Sequence, residues 1–169
     1  MLVYASESQH MAENTFFMDN PMPFETAFSL AGLLAMSGWL LLLASPWLPT
    51  LSDKTAGFLL PALLSLGYVV LILLPADTTG GFDSLASVKA LFSHDQALLA
   101  GWVHFLAFDL FIGAWACRSA RAKGIRFWWV APSLPLIFLF GPAGLLAYWA
   151  LSAISRLADR SHHGTSSPA

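Results

Sequence analysis

The chain has 169 residues, 57% of them hydrophobic and 11% charged, with a mean hydropathy of +0.65, a balance that excludes an ordinary globular domain and marks an integral membrane protein. A net charge of −2 with no basic tract leaves no electrostatic footprint for nucleic acid. The one cysteine, Cys117, can form neither an internal disulfide nor a thiolate metal site, and reads as a small apolar residue at a helix end.

Residues 1–25 carry Glu7, Glu13, Asp19 and Glu25 but no Lys or Arg, the opposite of a secretory or transit signature, so no cleaved targeting segment is expected. Phe16, Phe17 and Met18, with Pro21 and Pro23, point to a tail that touches the membrane surface. The first span runs from about 26 to 48, uncharged and long enough for a hydrocarbon core of ~30 Å at ~1.5 Å per residue. Pro46, Trp47 and Pro49 close it. A tight polar connection over 50–55 leads to a second uncharged span from about 56 to 74, stopped by Pro75. So short a connection makes the two helices antiparallel neighbours.

The polar stretch 76–96 opens with the turn signal Asp77-Thr78-Thr79-Gly80-Gly81. Leu85, Val88, Leu91 and Phe92 then recur at helical spacing while Ser84, Ser87 and Lys89 fall off that face, which predicts a short amphipathic helix on the membrane surface. The third span, 97–117, holds His104 and Asp109 in its middle. Arg118, Arg121, Lys123 and Arg126 follow it as a basic loop. The last apolar region, 127–154, would be ~42 Å long as one straight helix at ~1.5 Å per residue, too much for a bilayer. The helix proper is therefore expected to begin near Pro132 and to bend at Gly141-Pro142.

These elements predict an all-α integral membrane four-helix bundle over 26–155, with a short amphipathic surface helix between spans 2 and 3 and a polar tail over 156–169. Under four spans, Lys54 and the four cations of the third loop lie on one face, and Lys89, Arg156 and Arg160 on the other. Five against three places both termini outside and the third loop in the cytoplasm, most naturally of a bacterial cytoplasmic membrane.

Asp109 is the one acidic residue inside a predicted span, and an intramembrane carboxylate is by default a functional-site hypothesis. Five residues on a helix amount to about 140° of rotation and ~7.5 Å of rise, so His104 and Asp109 do not share a face. The two are candidates for general acid/base work in an apolar pocket. They equally fit interhelical hydrogen bonding to Ser29, Ser37, Tyr68, Ser133 or Tyr148. A metal site is not expected, because two potential ligands on different faces lack the further carboxylates or histidines that coordination needs. Trp102, Phe105, Phe108, Phe111 and Trp115 put aromatics on every side of this helix, and Trp39, Tyr68, Phe138, Phe140 and Tyr148 could face them. Such walls suit ordinary core and lipid contact, and also a long polyene.

The run Trp102-Val103-His104-Phe105-Leu106-Ala107-Phe108-Asp109-Leu110-Phe111-Ile112-Gly113-Ala114-Trp115, followed by Phe140-Gly141-Pro142-Ala143-Gly144-Leu145-Leu146, resembles the abscisic-acid-deficient-four-like membrane proteins. That family includes the plant neoxanthin-synthesis protein and short bacterial relatives. The resemblance is best over 81–148. It implies a four-helix membrane protein and, from the plant members, isomerisation of an epoxy-carotenoid to its allenic form, with an acid at the epoxide oxygen, a base at a neighbouring carbon and no redox cofactor. The matched positions here are Trp102, His104, Asp109, Gly113, Trp115, Gly141, Pro142 and Gly144. Asp109 and His104 become the proton-transfer candidates, Trp102, Phe105, Trp115 and Tyr148 the candidate walls for a carotenoid or other isoprenoid, and Gly113, Gly141, Pro142 and Gly144 a structural motif. Where the family usually has arginine-aspartate-alanine, this chain has Arg118-Ser119-Ala120. Two other classes stay open on the residues alone: a non-catalytic membrane subunit or pigment-binding scaffold with its own membrane-protein partner, and a proton-coupled transporter, for which one Asp and one His are few groups.

Overall fold

The computed structural model describes residues 22–75 and 79–163. Most of the expected membrane-touching tail, the Asp77-Thr78 part of the turn signal and the end of the polar C-terminal tail lie outside the described residues. Helix α1 is Met22–Leu43. Helix α2, Pro49–Lys54, continues through a π-helical turn, Thr55–Leu59, into α3, Leu60–Leu73. Then come α4, Leu85–Leu91; α5, Asp95–Ala122; α6, Phe127–Val130; and α7, Ser133–His163. Among the described residues, four helical stretches are long and apolar enough to cross a membrane: Pro23–Leu43, Pro49–Leu73, Asp95–Ala122 and Ser133–Leu157.

The polar connection expected over 50–55 is helical. Pro49 stands at the start of α2, where its fixed φ favours a helix and its missing N–H costs nothing, and the segment runs on to Leu73. Its π-helical turn has a local cause. Pro61 has no N–H to offer the Gly57 carbonyl four residues back, and the wider turn absorbs that mismatch. The Arg118 guanidinium fills the space that a side chain on Gly57 would need.

Helix α5 is the centre of the bundle. Half of its membrane-length stretch is buried, against 28% for each of the other three, and it packs on α1, α3 and α7, each of which lies against it more extensively than against either of the other two. Small residues let the neighbours come close: Ala100, Ala107, Gly113, Ala114, Ala116, Cys117 and Ala120 are all buried. Leu42, Leu110, Leu134, Ile137 and Tyr148 fill the core between them. The outer faces carry exposed apolar side chains such as Leu33, Phe58, Leu66, Leu139 and Leu146, which is the surface of a chain whose solvent is lipid.

The ends of the bundle differ. At one end Arg121 of α5 holds Asp53 of α2, with Nη2 2.6 Å from Oδ2. At the other, Gln96 Nε2 donates to the carbonyls of Leu71 and Leu74 at 2.7 and 3.1 Å, satisfying acceptors that the end of α3 leaves open. The predicted amphipathic helix forms as α4. Ser84 caps it, accepting from Ser87 N at 3.1 Å, and Gly80 precedes it at φ +103° with its Cα against the Ser87 carbonyl and Leu91 N, an approach only glycine tolerates. Val88 and Leu91 are half-buried, whereas Phe82 and Leu85 are exposed.

The expected bend at Gly141-Pro142 is a break. Phe140 (φ −140°, ψ 31°) and Gly141 (φ 15°, ψ −81°) leave helical geometry, and Pro142 cannot donate back across the gap. The turn is so sharp that Gly144 lies against the backbone of Leu136 and Ile137, eight and seven residues before it. The two legs, 133–139 and 142–163, close on each other at this glycine. Gly144→Ala should therefore lower stability by about 1–3 kcal/mol or more, the range of an overpacked core. Gly32→Ala, with nothing within 4 Å of the added methyl, should be neutral or gain about 0.5–1 kcal/mol of helix propensity. Melting of both variants in detergent checks the pair.

Candidate functional site

Asp109 is 6% exposed, and Oδ2 lies buried with no hydrogen-bond partner. It is the one buried acid among the described residues. What it faces is the break in α7: a Cβ on Gly141 would sit 2.6 Å from Oδ1 and 3.4 Å from Oδ2. The carboxyl thus occupies the room that glycine leaves at the one point where the fourth long helix is interrupted. One turn further along α5, Gly113 takes the edge of the Trp39 indole, whose ring meets Phe138 edge-on at 5.3 Å. Trp39, Asp109, Gly113, Phe138 and Gly141 therefore form one cluster where α1, α5 and α7 meet. The indole Nε1 of Trp39 is also buried and unpartnered.

His104 is elsewhere. It is exposed on another flank of α5, with its ring 4.6 Å from Phe108 and 5.5 Å from Tyr68 of α3. The structure does not bring the imidazole to the Asp109 carboxyl. Of the serines considered as interhelical ties, Ser37 and Ser133 donate to carbonyls of their own chain segment, Leu34 and Val130, at 2.7 Å each.

The four expected aromatic walls fall into two groups. Trp102, 41% exposed, and half-buried Phe105 meet as tilted rings 5.6 Å apart on one flank. Phe28 of α1 extends that row at a further 5.6 Å, a contact no sequence signal marked, because an uncharged span gives no hint of which face turns inward. Trp115 and fully buried Tyr148 meet edge-on at 5.3 Å on the α7 side, with Lys123 Nζ 5.7 Å above the Tyr148 ring. The Tyr148 hydroxyl and Ser152 Oγ are buried without partners.

Two grooves open on the outside of the bundle, each about 310 Å³. One, between the starts of α1 and α5, is lined by Phe24, Glu25, Phe28, Asp95, Leu98 and Trp102. The other, between the π-helical turn with α3 and the middle of α5, is lined by Gly57, Phe58, Pro61, Ser65, Phe108 and Phe111. Both are lined mainly by apolar side chains, the first also by Glu25 and Asp95 and the second by Ser65, and neither includes Asp109. Among the described residues no three of His, Cys, Asp and Glu gather as metal ligands would.

A central membrane-length helix, carrying the one buried carboxyl among the described residues and set against a broken helix, is the architecture of a polytopic membrane protein. Its family is shown by sequence: the chain belongs to the ABA DEFICIENT 4-like family, whose profile matches residues 26–148. That stretch contains Asp109, Gly113, Gly141, Gly144 and Tyr148. No curated protein and no solved structure matches the chain.

The contact between Asp109 and Gly141 is open to a double-mutant cycle. Gly141→Ala intrudes on the carboxyl, so it should destabilise the wild type more than it destabilises Asp109→Ala. A coupling of about 0.5–3 kcal/mol is expected for such neighbours, and additive losses of melting stability would deny the contact.

Proposed function

We propose that this protein acts on a carotenoid or related isoprenoid within the membrane by cofactor-independent proton transfer, with Asp109 as the group that moves the proton. The observation that carries this reading is the buried, unpartnered Oδ2 of Asp109. A carboxyl in that setting is costly to the fold, and intramembrane acids are characteristic of sites that do chemistry. Family membership supports the substrate class, since the plant members act on an epoxy-carotenoid.

Isomerisation of an epoxide to an allenic alcohol balances without a redox partner. One C–O bond of the epoxide breaks as its oxygen takes a proton and becomes a hydroxyl, and a C–H bond on a neighbouring carbon breaks as its proton leaves. A single carboxyl suffices for both transfers: one oxygen gives its proton while the other collects the one released, and the acid ends as it began. That economy matters because His104 lies on another flank. We assign His104 with Tyr68 and Phe108, and Trp102 with Phe105 and Phe28, to holding the apolar ligand along the outside of α5, where a row of aromatic rings suits a flat conjugated chain. Trp115 and Tyr148 are assigned to the α7 side of the site. We further read the end with Lys54, Arg118, Arg121, Lys123 and Arg126 as cytoplasmic, in a bacterial cytoplasmic membrane.

A second reading, a pigment-binding scaffold without turnover, is favoured by one observation: the two grooves open on the outside of the bundle and are lined without Asp109.

Asp109→Asn separates the two. As a proton-transfer group, Asp109 should be replaceable with no loss of melting temperature in detergent, because its buried, unpartnered carboxyl oxygen gives the fold no hydrogen bond to lose. The same change should reduce conversion by about 10²-fold or more, the size of a general acid/base contribution, read as accumulation of the unconverted isoprenoid in the host. A fall in melting temperature with an unchanged host pigment profile rejects the catalytic assignment. Undiminished co-purification of a pigment that the wild type never converts establishes the scaffold.

A further inference from the structure

The break in α7 bears on which side of the membrane the chain ends, and on where Asp109 meets water. The first leg runs antiparallel to α5: Phe138 lies with Trp39 and Gly113, and Gly141 with Asp109, one turn of α5 earlier. If the second leg continued in that direction, Tyr148 would fall alongside residues near the start of α5. It lies instead against Trp115, under Lys123, back toward the end from which the first leg came. Gly144 pressed on Leu136 and Ile137 is the signature of that reversal.

We infer that the fourth apolar segment is a re-entrant hairpin whose two legs both open on the basic side, and that it gives Asp109, at its tip, access to water and protons from that side alone. Length agrees. From a tip near the midplane, half of a ~30 Å hydrocarbon core takes about ten residues at ~1.5 Å each, which brings the second leg to the boundary near Ser152. Buried Ser152 and Ser155 follow, and Arg156 comes directly after them.

Charge agrees independently. With a fourth straight span, Arg156 and Arg160 join Lys89 opposite the basic loop, a weak asymmetry of five against three. With the hairpin, Lys54, Arg118, Arg121, Lys123, Arg126, Arg156 and Arg160 share one side, seven of the eight cations in the chain. That is the asymmetry the positive-inside rule describes. The carboxyl terminus then lies opposite the amino terminus, unlike the expectation from four straight spans.

The buried polar atoms without partners supply the path. Asp109 Oδ2, Tyr148 OH and Ser152 Oγ lie in turn from the tip of the hairpin along its second leg. Buried polar groups of this kind are satisfied by internal water, and non-helical backbone at membrane depth is tolerated where it lines such a cavity. The inference does not rest on the substrate proposed above.

Single cysteines in a Cys117→Ala background test both parts in sealed, oriented vesicles, with a charged, membrane-impermeant thiol reagent added from one side at a time. Lys123→Cys reports the basic loop, Lys89→Cys the opposite side and Thr165→Cys the C-terminal tail. Position 165 should label from the same side as 123 and not with 89; labelling that follows 89 overturns the hairpin. A small charged methanethiosulfonate should modify Asp109→Cys from the side that labels 123 and at least tenfold more slowly from the other. Modification from the opposite side, or from neither, overturns the access path. Should Asp109→Cys fail to fold, Ser152→Cys, on the path itself, is read with the same two outcomes.

Discussion

Lipid offers no hydrogen bonds, so every backbone group and every carboxyl at membrane depth has to be satisfied by the protein or by water held within it. The structure concentrates both demands at one point. Asp109 brings a carboxyl to the middle of α5, and the Phe140-Gly141-Pro142 sequence interrupts the backbone of α7 beside it. Each feature alone would be a liability. Placed together, the broken helix leaves room for the carboxyl because Gly141 has no side chain, and the second leg begins with Pro142, which has no N–H to leave unsatisfied.

The rest of the bundle serves that meeting. With no hydrophobic drive between helices in lipid, association depends on close packing, and small residues on either α5 or its neighbour let the helices approach. Gly113 admits the Trp39 indole, and Gly38 of α1 admits Leu110 and Leu60. At its basic end α5 is tied to α2 by Arg121 and Asp53, both about a third exposed. Such a pair contributes little energy, ~0–1 kcal/mol, so its value here is in fixing register where the first connection meets the third.

Much of the architecture was legible in the residues. Four uncharged or nearly uncharged runs of membrane length, the amphipathic spacing of Val88 and Leu91 and the Gly141-Pro142 interruption each correspond to an observed element. The segment over 50–55 misled because Asp53 and Lys54 look like loop residues. Next to Pro49 they make an acceptable first helical turns, and Asp53 gains a partner in Arg121, 68 residues away, that local sequence cannot supply. The severity of the α7 break was likewise hidden. Proline and glycine announce a bend, but how far the chain turns is decided by Gly144 resting on Ile137, a contact between two legs of the same segment. Asp109 was readable as unusual from its type and depth alone; its neighbour Gly141 was not, because the motif names both residues without showing that they touch.

Separation of His104 from Asp109 follows from helix geometry, since five residues on α5 turn them about 140° apart, and it divides the labour of the helix. The flanks that carry His104 and Trp102 are shared with other aromatic rings and with lipid, so they suit recognition of something long, flat and apolar that arrives from the bilayer. The face that carries Asp109 is closed off by α1 and α7, so it suits a step from which lipid is kept out. A helix that met only one neighbour could offer one such face. Because α5 touches all three of the other long helices, it presents an apolar surface to the membrane and a polar point to the interior within the same two turns, and that combination is what a membrane protein needs if it is to draw a ligand from lipid and supply it with a proton.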